Sequence, residues 1–435
     1  MGRCESLLER GAGVRFSIMM DNTPQPQHNP THPRSKREQE PVRLNELKKE
    51  LNAELRNILN YWLKNTPDEI NGGFWGKIDN DNQVSPAAPK GSVLNARILW
   101  SFSAAYNQKP DEAVLQMTHR AYKYIIAHFI DHEFGGVYWS VDNKGNKLDT
   151  KKQVYASAFT IYALSEYYMA SGIEEVRDLA ISLYHLLVDK SYDQYKTGYL
   201  EAFTYDWQPI NDLRLSAKDA NEKKTMNTHL HVLEAYTNLY RIWPDEALRK
   251  QIETLIDNFC DHFIDAQTHH LVLFFDEDWN RRSDMVSYGH DIEATWLLQE
   301  AAKVINDQVR EKQVQKICLE IVGATLEGLD TDGGLWYEYE PAARHLIKEK
   351  HWWVQAEAMV GFFNAWQISG DEQYLDLSVN NWAFIKSKIL DKQNGEWFWG
   401  ITADGSVMPG EDKVGLWKCP YHNSRACIEI IKRIH

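Results

Sequence analysis

Residues 135–146, GGVYWSVDNKGN, are followed by VYASAFTIYALSEYYMAS at 154–171 and VRDLAISLYHLLVDKSYD at 176–193. The first stretch alternates aromatic residues with small or polar ones between Gly, Asn and Asp, the pattern of a short strand or hairpin. The second is apolar almost all round, so as a helix it is buried on every side, whereas the third mixes apolar and charged residues and turns one face to solvent. This unit recurs. Aromatic segments begin at Gly72, Gly135, Gly198, His270, Gly333 and Gly395, spaced by 63, 63, 72, 63 and 62 residues. Buried helices of the same kind follow: LNARILWSFSAAY, NTHLHVLEAYTNLY, DIEATWLLQEAAKVI and VQAEAMVGFFNAWQI.

Such a period is sought before any fold is named. An amphipathic helix at residues 44–64 and an inner helix at 419–434 bring the helices to twelve, in six pairs. The chain thus opens with an outer helix and ends with an inner one, so the last pair closes a ring between the termini. The expectation is an all-α fold, an (α/α)6 barrel of six helical hairpins with short β-hairpin segments at one end, occupying residues 43–435 as one catalytic domain. Residues 1–42 hold five of the fourteen prolines and no apolar period, and read as a disordered leader.

Composition narrows the partners. Sixty-two acidic against forty-eight basic residues give a net charge of −14, which repels nucleic acid and anionic membranes. The opening residues lack the apolar core of a secretory signal, and no stretch is long and apolar enough to span a bilayer. A cytoplasmic monomer is expected. Five scattered cysteines without a CxxC pair indicate neither a disulfide framework nor a zinc knuckle. Sixteen Trp lean toward carbohydrate, because indole faces stack on sugar C–H faces, although large cores also consume aromatics.

Polar residues in the first turns of buried helices need partners or a ligand. The starts of the inner helices supply Asn95 and Arg97; Tyr155; Asn227, His229, His231 and Glu234; His290, Asp291 and Glu293; Trp352, Trp353 and Glu357; and Trp417, Tyr421, His422 and Arg425. Histidine gives and takes protons near neutrality without a cofactor, so proton transfer is the chemistry indicated. His229 and His231 lie about 200° apart around a helix and cannot share one metal ion. His290 and Glu293 share a face, as do Trp353 and Glu357, an arrangement equally suited to a carboxylate that orients an imidazole. No metal and no cofactor are expected. His269 and His270 fall in a hairpin segment and read as solvated.

The stretches KTMNTHLHVLEA, YGHDIEATWLL, HWWVQAEA and WKCPYHNSRAC resemble the N-acylglucosamine 2-epimerase superfamily, and within it are most similar to the cellobiose 2-epimerases. The resemblance runs from Leu44 to His435 and implies the same six-hairpin barrel. It further implies that His290 and His422 transfer protons and that His231 assists ring opening. By the same resemblance Arg97, Tyr155, Asn227 and Glu293 hold the reducing-end sugar, Glu357 joins this polar set, and Trp353 and Trp417 stack on the sugars. The implied reaction is cofactor-free inversion at C2 of the reducing-end glucose of a disaccharide, cellobiose or lactose, through a cis-enediolate. The rival readings are an aldose–ketose isomerase or monosaccharide epimerase, a glycoside hydrolase on the same barrel, and a non-catalytic sugar binder.

Overall fold

Four of the outer helices start where aspartate follows a short turn. Asp111, Asp245, Asp307 and Asp371 each accept hydrogen bonds from backbone N–H groups of the first turn they precede, satisfying donors a helix leaves open. The inner helices lack a polar face: in Val154–Ser171 every residue from Val154 to Tyr167 is buried. Glycines at positive φ, Gly172 and Gly370, end two of them in the left-handed conformation that suits a residue without Cβ.

A computed structural model describes residues 36–434. Among the described residues are twelve α-helices: α1 (Lys36–Asn65), α2 (Ser92–Gln108), α3 (Glu112–His128), α4 (Val154–Ser171), α5 (Glu174–Lys190), α6 (Met226–Ile242), α7 (Glu246–Asn258), α8 (Tyr288–Val304), α9 (Gln308–Thr325), α10 (Trp352–Ser369), α11 (Glu372–Phe384) and α12 (Tyr421–Arg433). The even-numbered helices pack in sequence, α2 on α4 and onward to α12, and α12 returns to α2. The inner ring is therefore closed, as the repeat predicts. Helices α3, α5, α7, α9 and α11 back their inner partners. Helix α1 takes the sixth outer place, bonded through Glu50 to Trp382, Glu54 to Trp397 and Trp62 to Glu396.

Helix α1 begins inside the stretch read as a disordered leader. Residues 36–40, KREQE, are strong helix formers and propagate the helix backward without an apolar period. The remainder of that leader, residues 1–35, lies outside the described residues. A compact unit spans Leu44–His435. Among the described residues no helix is long and apolar enough to cross a membrane.

A second ring lies at the N-terminal ends of the inner helices. The strand before each inner helix pairs antiparallel with the next aromatic segment: Lys90 with Val141, Lys152 with Phe203, Lys224 with Phe275, Ser287 with Glu338 and Lys350 with Ile401. Val414, before α12, pairs with Ile78 of the first segment and closes this ring too. Five repeats reinforce the joint with an ion pair on a buried lysine, Lys90–Asp68, Lys152–Asp131, Lys224–Asp193, Lys350–Asp330 and Lys413–Asp391. In the fourth repeat Val286 stands at the lysine position and Arg281 reaches Asp265 instead. Many aromatics are consumed by packing, since Trp62, Trp296 and Trp397 are fully buried.

Lys152 Nζ lies 2.6 Å from Asp131 Oδ2 with both side chains buried. Burial would raise the Asp131 pKa, but Lys152 and the backbone N–H groups of Glu133 and Phe134 carry it from 3.8 down to about 2. The stability this carboxylate contributes is present at neutral pH and drains as pH falls from 3.8 toward 2. Lys152→Met leaves the charge unpaired and is expected to cost about 3–5 kcal/mol, read as a lowered denaturation midpoint. Lys152→Met combined with Asp131→Asn recovers most of that loss, and equal losses in the single and double variants would contradict the pairing.

Candidate active site

The first turns of the inner helices converge where the strand ring opens, and α8 and α12 each bring a histidine. His290 is half-buried, with Nδ1 2.8 Å from Ser287 Oγ at the end of the preceding strand. His422 is buried, with Nδ1 2.7 Å from Glu357 Oε1 of α10. The half-buried indole of Trp353 lies between them, its centroid 4.8 Å from the His290 ring and 5.8 Å from the His422 ring. Burial, with His231 nearby, pushes the His290 pKa down; burial together with Arg97 and Arg425 holds that of His422 well below its usual value. Both imidazoles are neutral at neutral pH, the form that accepts a proton.

Arg425, one helical turn beyond His422, is fully enclosed. Its Nη1 donates to Glu234 Oε1 of α6 and to the Tyr421 hydroxyl, and its Nη2 donates to Glu293 Oε1 at 2.5 Å and Glu357 Oε1 at 2.7 Å. The Tyr421 hydroxyl in turn donates to Glu234, and Trp296 Nε1 donates to Glu357 Oε2. Burial would raise all three carboxyls. At Glu234 the Arg425 and His231 partners overcome it and bring the pKa to about 2. At Glu293, burial and the neighbouring Glu357 prevail and the pKa rises; Glu357 is raised as well. Glu293 and Glu357 thus both stand above the usual carboxylate range while sharing one guanidinium.

On the other side, Arg97 Nη2 donates to the Tyr155 hydroxyl at 2.8 Å, and its guanidinium stacks 4.2 Å from the Phe159 centroid and 4.9 Å from that of Tyr421. Arg97 Nε is buried without a hydrogen-bond partner, and so is Asn227 Oδ1 at the start of α6. Within this group such atoms leave bonding capacity that a polar ligand can take up. His231 Nδ1 is 2.9 Å from Glu234 Oε2, and its ring lies 5.1 Å from Tyr155. Trp417 is half-buried, with its ring centroid 5.9 Å from that of Tyr155. Arg97, Tyr155, His231 and Trp417 thus form one group, and Glu293, Glu357 and His422 a second around Arg425, linked through Glu234, with Trp353 between the two histidines.

Several expectations need revision. His270 is buried, not solvated, with Nδ1 2.7 Å from Asp291 Oδ2, because the turn that exposes His269 rotates its neighbour inward. His229 accepts the Tyr199 N–H through Nε2 and meets the Thr225 carbonyl through Nδ1, so it fastens the wall rather than facing the pocket. Glu293 does not orient His290 on its own helix; it reaches Arg425 across the barrel, and the carboxylate that orients His422 comes from α10. Spacing within one helix cannot reveal partners on three. Glu293, Glu357 and His422 also bring ligand-type atoms within 4.8 Å of one another. Arg425 already bonds both carboxylates, so the cluster's positive charge is supplied from within and the residues do not fit a cation. Ser287 carried no signal in the sequence beyond its place before α8, and Trp296, more than two turns inside that helix, read as core.

Comparison with known proteins bears on the fold and the family. The N-acylglucosamine 2-epimerase (GlcNAc 2-epimerase) family profile matches residues 73–426. A cellobiose 2-epimerase of Bacteroides fragilis is 49% identical over 88% of this chain and 98% of its own length. One of Dictyoglomus turgidum is 42% identical over 89% of this chain and 99% of its own. The solved cellobiose 2-epimerase of Spirochaeta thermophila superimposes with a TM-score of 0.85 at 40% identity, covering 90% of this chain and 98% of that one. With its closed ring of six helical hairpins, the chain belongs to the N-acylglucosamine 2-epimerase family and is a carbohydrate epimerase.

Proposed function

We propose that the protein inverts C2 of the reducing-end glucose of β-1,4-linked disaccharides, taking cellobiose to glucosyl-mannose and lactose to epilactose, with His290 and His422 as the acid/base pair. The observation that carries this reading is the placement of both histidines against one indole, Trp353, each with Nδ1 already engaged and the other ring nitrogen left for substrate. The relatives named above are cellobiose 2-epimerases, which supports the disaccharide.

The chemistry follows from these groups. A C2 proton becomes acidic only beside the C1 aldehyde, so the ring must open first. His231, its Nδ1 committed to Glu234, moves the O1 proton to O5. One neutral histidine then removes the C2 proton, and negative charge develops on O1 of a cis-enediolate. Arg97, whose Nε is buried without a partner, stabilises that charge. The other face is served by the second histidine after rotation about C2–C3. His422 has a proton source at hand: as its Nε2 proton passes to C2, Nδ1 takes the proton held by the Glu293–Glu357 pair, and the reverse transfer returns it. Each transfer leaves the imidazole neutral, which suits a buried ring flanked by two guanidinium groups.

Incubation with cellobiose in D2O containing EDTA is expected to give glucosyl-mannose carrying deuterium at C2, resolved by NMR. Product without deuterium, release of monosaccharide, a ketose as the main product, or activity restored only by a divalent ion would each contradict the reading. His290→Asn and His422→Asn are each expected to lower kcat beyond the roughly 10²–10⁴ of a single acid/base group, because both faces are required. Activity within about tenfold of the parent would remove that residue from the pair. Trp353→Ala or Trp417→Ala should reduce kcat/KM for cellobiose about 3- to 10-fold more than for glucose, the loss of one stacking contact worth ~1 kcal/mol. Equal losses on both sugars would show that the indoles only wall the barrel.

A further inference from the structure

The turn ahead of each inner helix is built to one plan. An isolated bridge marks the same place in all six copies: Pro67 with Phe74, Ile130 with Val137, Tyr192 with Tyr199, Ile264 with Leu271, Leu329 with Leu335, and Leu390 with Trp397. The residue just before the second partner is Gly73, Gly136, Gly198, His270, Gly334 and Glu396. Four copies carry glycine because another side chain fills the space. A Cβ on Gly73 would lie 2.6 Å from the Tyr124 ring, on Gly136 2.6 Å from Trp207, on Gly198 2.6 Å from Trp279, and on Gly334 2.9 Å from Phe384.

The two exceptions precede α8 and α12, the helices that bear His290 and His422. Both reach the same target, the residue immediately after the histidine. His270 meets Asp291 Oδ2 at 2.7 Å, while Asp291 Oδ1 accepts the Leu271 N–H at 2.8 Å. Glu396 Oε1 accepts from Asn423 Nδ2 and from Lys418 Nζ, each at 2.7 Å, and Oε2 accepts from Trp62 Nε1 at 2.8 Å. Asp291, Asn423 and Lys418 are wholly buried, so these bonds are not exchanged for water. Glu396 also holds φ at +62°, a left-handed conformation that a glutamate keeps only when its side-chain bonds are worth more than the strain.

We propose that His270 and Glu396 are matched positioning residues, each clamping the side chain that follows a catalytic histidine and thereby fixing the rotation of the helical turn from which that histidine reaches the sugar. Neither touches substrate. The proposal rests on the assignment of His290 and His422 as the acid/base pair. Because the two clamps act on opposite ends of one proton-transfer path, loosening one disturbs protonation of one face of the enediolate.

The test is the partition of that intermediate. Cellobiose is incubated in D2O with the parent, His270→Asn and Glu396→Gln, and the ratio of C2 deuterium in recovered cellobiose to that in the epimer is measured early in the reaction. Each variant is expected to lower kcat by up to about 10²-fold with little change in KM, as misplacement of a catalytic group does. The deuterium ratio moves in opposite directions in the two variants. A ratio equal to the parent's in either variant, or a shift in the same direction in both, overturns the proposal and indicates general loosening. If Glu396→Gln fails to fold, Asn423→Ala removes the clamped bond, together with the Ser424 N–H bond to Asn423 Oδ1, while leaving Lys418 and Trp62 on Glu396, and is read by the same ratio. A parent that incorporates no C2 deuterium would sink the acid/base assignment and the clamps with it, whereas an exchanging parent with unmoved variants would sink the clamps alone.

Discussion

Arg425 is the fixed point of the site. Its guanidinium bonds carboxylates from α6, α8 and α10 while its own helix, α12, carries His422 one turn away. Four of the six inner helices are thereby tied together at one depth in the barrel, by charge-assisted bonds between buried side chains. Removing such a charge would strand three buried carboxyls, so the cluster constrains the helices far more tightly than apolar packing of the same residues would.

Charge balance then decides protonation. Three buried carboxyls, Glu234, Glu293 and Glu357, face two buried guanidinium groups, Arg97 and Arg425. Glu234 is the one driven fully anionic, since Arg425, His231 and Tyr421 all bond it. The proton that neutrality requires falls to Glu293 and Glu357, beside His422. A neutral histidine next to a protonated carboxyl pair can pass a proton in either direction without forming an isolated charge, which is what a reversible reaction at one carbon needs. The barrel supplies the rest: one direction for all inner helices, one level for their first turns, and a strand ring that closes the mouth around them.

Much of this was legible in the sequence, and the boundary is physical. The period of the aromatic segments and the contrast between all-apolar and amphipathic helices gave the closed barrel, because burial acts along the chain in ways that composition records. The level of the site followed from polar residues at inner-helix starts. Partnership across helices did not, since whether Glu357 meets Trp296, Arg425 or His422 depends on helix rotation. The His270 reading failed because a single left-handed residue, His269 at φ +60°, decides which way its neighbour points. The buried lysine–aspartate pairs recur at separations of 20 to 22 residues, and 31 in the third repeat, a pattern that was visible but masked by the abundance of surface charge.

The central claim, that the pair beside His422 keeps a proton at neutral pH, is open to direct observation by infrared difference spectroscopy of the resting protein. Burial also raises the carboxyl of Glu201, to about 8, so the comparison must be made by variant. The account predicts a protonated-carboxyl C=O band at neutral pH that Glu357→Gln or Glu293→Gln abolishes and Glu201→Gln leaves in place. A spectrum at neutral pH in which neither glutamine substitution at the pair removes any protonated-carboxyl intensity would contradict it.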